Sequence, residues 1–105
     1  MTDLPLVGFV ALSTALFVIG LFGILTRRNF ILILIAIEIA MNAAILNFVY
    51  LGAFSSGTGG LTGQAIAVVL IGFAATEVAV GLAIVLALNR LKGTINVAQA
   101  TDLKL

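Results

Sequence analysis

The chain has 105 residues, of which 63% are hydrophobic and 9% charged. A soluble domain carries about 25% charged residues, so this composition excludes a water-soluble globule and makes lipid the main solvent. Net charge is +1 and there is neither His nor Cys, which argues against a nucleic-acid partner, disulfides, haem ligation, most zinc sites and Cys or His catalysis.

The first apolar run, Leu4 to Thr26, has no charged residue. As a helix it is about 33 Å long, enough to cross a hydrocarbon core of about 30 Å. Pro5 lies in its first turn, where a missing N–H costs little. Asp3 stands where a signal peptide would be basic, and the run is too long for a signal h-region. "TRRN" (Thr26 to Asn29) then makes a very short connection before a second apolar run, Asn29 to about Phe54. "SSGTGGLTG" (Ser55 to Gly63) has loop composition. A third run extends from about Gln64 to Leu88, and a polar tail, 89–105, ends the chain outside the bilayer.

The expectation is an all-α polytopic membrane protein: one domain, 1–105, with three transmembrane helices near 4–26, 29–54 and 64–88. Lipid offers backbone groups no partners, so the spans must be helical. Arg27 and Arg28 lie in the first loop, and Arg90 and Lys92 follow the third run on the same side. The opposite side carries neither Lys nor Arg. The positive-inside rule puts the N-terminus outside and the C-terminus in the cytoplasm.

Two carboxylates interrupt the apolar runs: Glu38 in the second and Glu77 in the third. Counted from the cytoplasmic ends of their runs, they lie about 14 Å and about 17 Å deep. Antiparallel helices would bring them to similar depth near the bilayer middle. An acid there costs roughly 2.5–3.5 kcal/mol, and intramembrane acids by default mark proton or ion paths. The plainer alternative is a protonated Glu that only hydrogen-bonds between helices. Arg27 and Arg28 begin about 15 Å from Glu38 along the axis and are poor partners for it.

Helical periodicity puts Asn42 on the face of Glu38 and a small-residue stripe, Ala36, Ala40, Ala43, Ala44 and Asn47, opposite. In the third run Ala74 and Gly81 flank Glu77, and Gly72, Ala75, Ala79 and Ala83 line the far side. Gly8, Ala11 and Ala15 form a weaker stripe in the first. Small residues let membrane helices approach closely, so stripes on two sides of two helices predict neighbours beyond this chain.

Several segments together carry a resemblance: the charge-free first run, "LTRRN", "IEIAMNAAIL", Gly63–Gln64, "AATEVAVGLAIVLAL" and the short polar tail. The chain resembles the K subunit (mitochondrial 4L) family of proton-pumping NADH:quinone oxidoreductase, respiratory complex I, over almost its whole length. The resemblance implies three helices in a membrane arm, between quinone-proximal subunits and antiporter-like pumps. It maps the family's two membrane glutamates onto Glu38 and Glu77 as proton-relay groups, and its loop arginines onto Arg27 and Arg28 as a candidate cytoplasmic contact. It implies no cofactor or metal in this chain and no complete active site. Quinone, flavin and iron–sulfur clusters are expected in partner subunits, the lipid bilayer is the other partner, and the location is a prokaryotic plasma membrane. The "SSGTGGLTG" loop is somewhat long for the family, and the tail differs from its usual endings.

The nearest rival, the C subunit of multisubunit cation/proton antiporters, lacks both glutamates. Small multidrug transporters have four helices and an acid in the first. ATP-synthase rotor subunits usually have two helices and one acid. A structural assembly subunit without a proton role is the remaining alternative.

Overall fold

The structure, a computed structural model, describes residues 4–54 and 57–100. Asp3, Ser55, Ser56, Asp102 and Lys104 lie outside the described residues. Three long helices follow in order: α1 (Leu4–Thr26), α2 (Phe30–Phe54) and α3 (Thr58–Lys92), with a short α4 (Val97–Ala100) after them. Each of the three is long and apolar enough to cross a membrane. α1 and α2 are apolar on all sides rather than amphipathic, as helices are when their solvent is lipid.

α2 occupies the middle. α1 packs on one side of it and α3 on the other, while α1 and α3 make no substantial contact. The result is a layer one helix deep, 57 × 24 × 16 Å, and large side chains such as Phe22, Phe73 and Leu91 stay exposed on its surfaces.

Backbone proximity builds the α1–α2 seam. A β-carbon at Gly20 would lie 2.7 Å from the Ala40 amide nitrogen, and one at Gly23 would lie 2.7 Å from the Ala36 β-carbon. Neither position has room for a side chain. Ser13, Ala36 and Ala43 are buried along the same seam. Its far end closes with an aromatic cluster, Phe9 against Tyr50 (4.7 Å between centroids) and Tyr50 against Phe54 (4.6 Å). The α2–α3 seam repeats the device. Gly63 would place a β-carbon 2.8 Å from the Gly52 Cα, and Gly81 one 2.5 Å from a Leu34 methyl. Between them Ile45, Ala67 and Ala74 form the buried core, with Met41, Phe48 and Leu70 packed around it.

Three expectations are corrected here. α3 starts at Thr58, well before Gln64, because Gly60 and Gly63 are buried against α2. Glycines that read as loop in sequence are the contact surface of a helix. α3 also runs past Leu88 to Lys92, where Gly93, at φ 67°, closes it and donates its N–H to the Asn89 carbonyl. Within the small stripe of α2, Ala36 and Ala40 meet Gly20 and Gly23 of α1, while Ala44 and Asn47 stay exposed. On α1 the packing stripe is Ser13, Gly20 and Gly23; Gly8, Ala11 and Ala15 are exposed, and Gly8 faces open space.

At the loop end the tail is tied back. Phe30 N–H donates to the Ile95 carbonyl (2.9 Å) and Val97 N–H to the Arg28 carbonyl (2.7 Å), an antiparallel bridge between Asn29 and Asn96. Asn29 Oδ1 also caps α2, accepting from Ile31 N–H at 2.9 Å, and Asn96 Oδ1 accepts from Ala98 N–H at 2.9 Å. Side-chain oxygens at these positions satisfy helix N–H groups that have no partner inside the helix. The short loop with Arg27 and Arg28 therefore lies at the same end of the layer as the tail that follows Arg90 and Lys92.

Candidate functional site

Glu38 sits on α2 and Glu77 on α3, and the seam between those helices fixes their relative level. Gly81 meets Leu34 at one end of the seam, and Gly63 meets Gly52 at the other. Four residues separate Leu34 from Glu38 and four separate Gly81 from Glu77, counted in the same direction along antiparallel helices. The two carboxylate-bearing residues are thus level to within a turn. The absolute depths change, because α3 is longer than expected. Glu77 is about 22 Å along the axis from Lys92, and Glu38 about 12 Å from Phe30.

The two side chains do not meet. Glu38 is half-buried and lines a groove between α2 and α3 with Ile31, Leu34, Val78 and Leu82. That groove has an apolar wall throughout, to which Glu38 contributes its methylenes. Glu77 is exposed and lines a separate hollow with Phe73, Thr76 and Val80. On α3, helical register puts Val78 and Leu82 to one side of the buried Ala74, and Glu77, Phe73 and Val80 to the other. The two acids therefore open onto opposite faces of the layer.

Ala74 and Gly81 do not leave space beside Glu77 for a visitor. Ala74 is buried against α2, and Leu34 occupies the surface of Gly81. The room next to Glu77 lies over Thr76, whose hydroxyl donates to the Gly72 carbonyl at 2.8 Å and keeps its acceptor capacity for a neighbour. Gly72 has open space around it, and Ala75, Ala79 and Ala83 are exposed with it on the side of α3 away from α2.

Arg27 and Arg28 are both exposed but differently placed. Arg27 lines a groove between α1 and α2 with Phe22, Leu32, Ile35 and Ile39. The Arg28 carbonyl is engaged by the tail. Sequence reasoning missed a third polar feature, a hollow between α1 and α2 lined by Ser13, Thr14 and Asn47. Three polar side chains inside otherwise apolar runs were the available signal. Among the described residues no three His, Cys, Asp or Glu side chains gather as a metal ion would require.

The sequence model of a family described as NADH-ubiquinone/plastoquinone oxidoreductase chain 4L matches residues 8–105. The chain is 44% identical over 107 residues to the NADH-quinone oxidoreductase subunit K of Bacillus anthracis, covering 99% of both chains. It is 41% identical over 99 residues to the protein of that name from an Anaeromyxobacter species, covering 94% of this chain and 96% of that one. The Bacillus mycoides counterpart is 43% identical over 107 residues, at 99% coverage of both.

Proposed function

The chain belongs to the NADH-ubiquinone/plastoquinone oxidoreductase chain 4L family, and from that premise we propose that it relays protons, or the charge changes that drive them, through Glu38 and Glu77 in the membrane arm of the complex. The observation that carries the reading is the level placement of two carboxylates within an apolar layer. An ionisable residue inside a membrane is expensive, and a purely structural chain would have no reason to keep two at one height.

The opposite openings support a relay that works through two separate faces. A proton passing from Glu77 to Glu38 directly would have to cross the packed seam of Ala74, Gly81 and Leu34. Each acid instead faces a different neighbour, so this chain acts as a septum with one acid per side. When a neighbour on one face changes charge, the acid on that face gains or loses a proton. The second acid, at the same level, senses that change through low-dielectric protein, where Coulomb interactions are screened far less than in water.

The neighbours are membrane-arm subunits, quinone-proximal on one side and antiporter-like on the other, with quinone, flavin and iron–sulfur clusters in partner subunits. The chain lies in a prokaryotic plasma membrane, N-terminus outside, with Arg27, Arg28, Arg90 and Lys92 at the cytoplasmic end. Arg28 is the loop cation best placed to contact a protein partner, since the tail fixes its backbone and its side chain is exposed.

The decisive experiment is proton-to-electron stoichiometry in the purified, reconstituted complex carrying Glu77→Gln. The reading expects normal assembly with pumping lost. A wild-type ratio would show Glu77 to be a packing residue and overturn the relay.

A further inference from the structure

We propose that the hollow between α1 and α2 lined by Ser13, Thr14 and Asn47 is a hydrogen-bonding socket for one neutral polar side chain, an amide or a hydroxyl, carried by a transmembrane helix of an adjacent subunit. The hollow holds about 230 Å³, Phe17, Ala43 and Ala44 complete its wall, and no charged residue lines it. It lies within two membrane-spanning helices. Asn47 is about 10 Å along the axis from Phe54, and Thr14 about 15 Å from Leu4. Both residues are exposed, and neither the Asn47 amide nor the Thr14 hydroxyl has a hydrogen-bond partner among the described residues. Ser13 is buried; its hydroxyl donates to the Val10 carbonyl at 3.1 Å and keeps its acceptor capacity.

The position of the hollow selects the occupant. Hydrocarbon offers polar groups no partner, so acyl chains would leave the Asn47 amide and the Thr14 hydroxyl unpaired, at a cost. Water has no route along the seam. At the end away from Arg27, Phe9, Tyr50 and Phe54 cluster across it. At the loop end, Gly20 meets the backbone of Ala40. The opening that remains is sideways, in the plane of the membrane, where lipid or another helix approaches. A helix can bring the missing partner, and the small Ala43 and Ala44 let its backbone come close. Asn47 and Thr14 each offer both donors and acceptors, which matches a neutral amide or hydroxyl; a charged group would find no counter-ion there. Helical register puts Thr14 and Phe17 on one side of the α1 packing line and Ile19 and Phe22, which line the Arg27 groove, on the other. That groove shares Ile35 and Ile39 with the groove of Glu38. The socket therefore opens on the face opposite Glu38, onto which Glu77 also opens, about 14 Å along the axis from the level of the two acids. It rests on the membrane-arm placement proposed above, with a neighbour on each face, and does not depend on the proton relay.

The test uses the purified whole complex with p-benzoylphenylalanine in place of Phe17, an exposed aromatic of the socket wall. Irradiation should give an adduct with one transmembrane segment of one other subunit, within a turn of a Ser, Thr, Asn, Gln or Tyr. Adducts with lipid alone, or with a segment that has no such residue there, overturn the proposal. Thr14→Cys should react at least tenfold more slowly than Thr58→Cys with a membrane-impermeant thiol reagent; equal rates would make the hollow a water pocket and overturn it too. Asn47→Leu should lower severalfold the detergent concentration at which this chain leaves the complex. Replacing the mapped partner residue by Leu should do likewise, and the double variant should lose little more than either single change. Additive losses would mean that the two side chains do not meet. Where Asn47→Leu fails to assemble, Thr14→Val goes through the same cycle. Failure of the chain to copurify with the redox subunits would remove the membrane-arm placement and the socket with it, whereas pumping in the glutamate variants reports on the relay alone.

Discussion

Glu38 and Glu77 stand level with one another in adjacent helices and yet open onto opposite faces of the layer. This arrangement is checkable without reference to activity. The chain has no Cys, so introduced pairs report cleanly. Leu34→Cys with Gly81→Cys should form a disulfide under mild oxidation, because those positions face each other across the seam and a disulfide needs β-carbons about 3.5–4.5 Å apart. Glu38→Cys with Glu77→Cys should not. Efficient cross-linking of the second pair would place both acids in one cavity and undo the septum argument.

Close helix approach sets a packing prediction. At Gly20 an added β-carbon would lie 2.8 Å from the Ala36 carbonyl and 2.7 Å from the Ala40 amide, and backbone atoms cannot move aside as a side-chain tip can. Gly20→Val should destabilise the α1–α2 pair by about 1–3 kcal/mol or more, the usual cost of overpacking. Gly8→Val, where nothing lies within 4 Å, should be near neutral within this chain. Thermal dissociation of the detergent-solubilised complex measures both, and equal stability of the two variants would contradict the seam as described.

Much of this was legible in the sequence, and particular residues show why the rest was not. Apolar runs long enough to span lipid give α1 and α2, because Arg27, Arg28 and Asn29 mark the break between them. The start of α3 was hidden. Gly60 and Gly63 read as loop, and only the presence of Gly52 on the facing helix turns them into a contact surface. Periodicity found the small stripe of α2 and the shared level of the two acids. It could not assign a stripe to a neighbour, so the packing of Ala36 and Ala40 against Gly20 and Gly23 of α1 went unseen. The separation of Glu38 and Glu77 onto different faces depends on which flank of Ala74 turns toward α2, a tertiary fact with no local signature. Arg27 and Arg28 look equivalent in "TRRN"; the groove beside one and the tail bridge on the other distinguish them.

Topology follows from the placement of the loop and tail at one end of the layer. Cys at Thr58, the first residue of α3, and Cys at Gln99, in the tail helix, are both exposed in the structure. With a membrane-impermeant thiol reagent, Gln99→Cys should label only from the cytoplasmic side and Thr58→Cys only from the other. Labelling of both from one side would eliminate the three-span arrangement.

For the loop, charge and geometry are separable. Arg28→Lys keeps the charge and loses the planar fork. If Arg28 grips a partner carboxylate, quinone reductase activity should fall severalfold in Arg28→Lys. Full activity would leave it as an electrostatic anchor of the cytoplasmic end.

The two acids give the strongest prediction, since one geometry demands two outcomes. Glu38→Gln preserves volume and hydrogen bonding but cannot release a proton. It should assemble, as judged by native gel, and lose much of the coupled quinone reduction. Glu77→Gln should do the same and abolish pumping, while electron transfer from the donor to an artificial acceptor upstream of quinone continues. Glu77→Asp keeps the acid and withdraws it by one methylene. The hollow beside Glu77 holds about 390 Å³, room for water to bridge the missing length, so partial pumping should survive there. Glu38 has no such allowance, because its groove wall is apolar and its seam is shared with Val78 and Leu82. Glu38→Asp should therefore be the more damaging of the two conservative changes. Measuring proton-to-electron ratios for both Asp variants side by side tests the surroundings of each carboxylate as well as its identity. If Glu77→Asp is inactive while Glu38→Asp pumps normally, the roomier surroundings argued for Glu77 do not serve the relay, even if both Gln variants fail as expected.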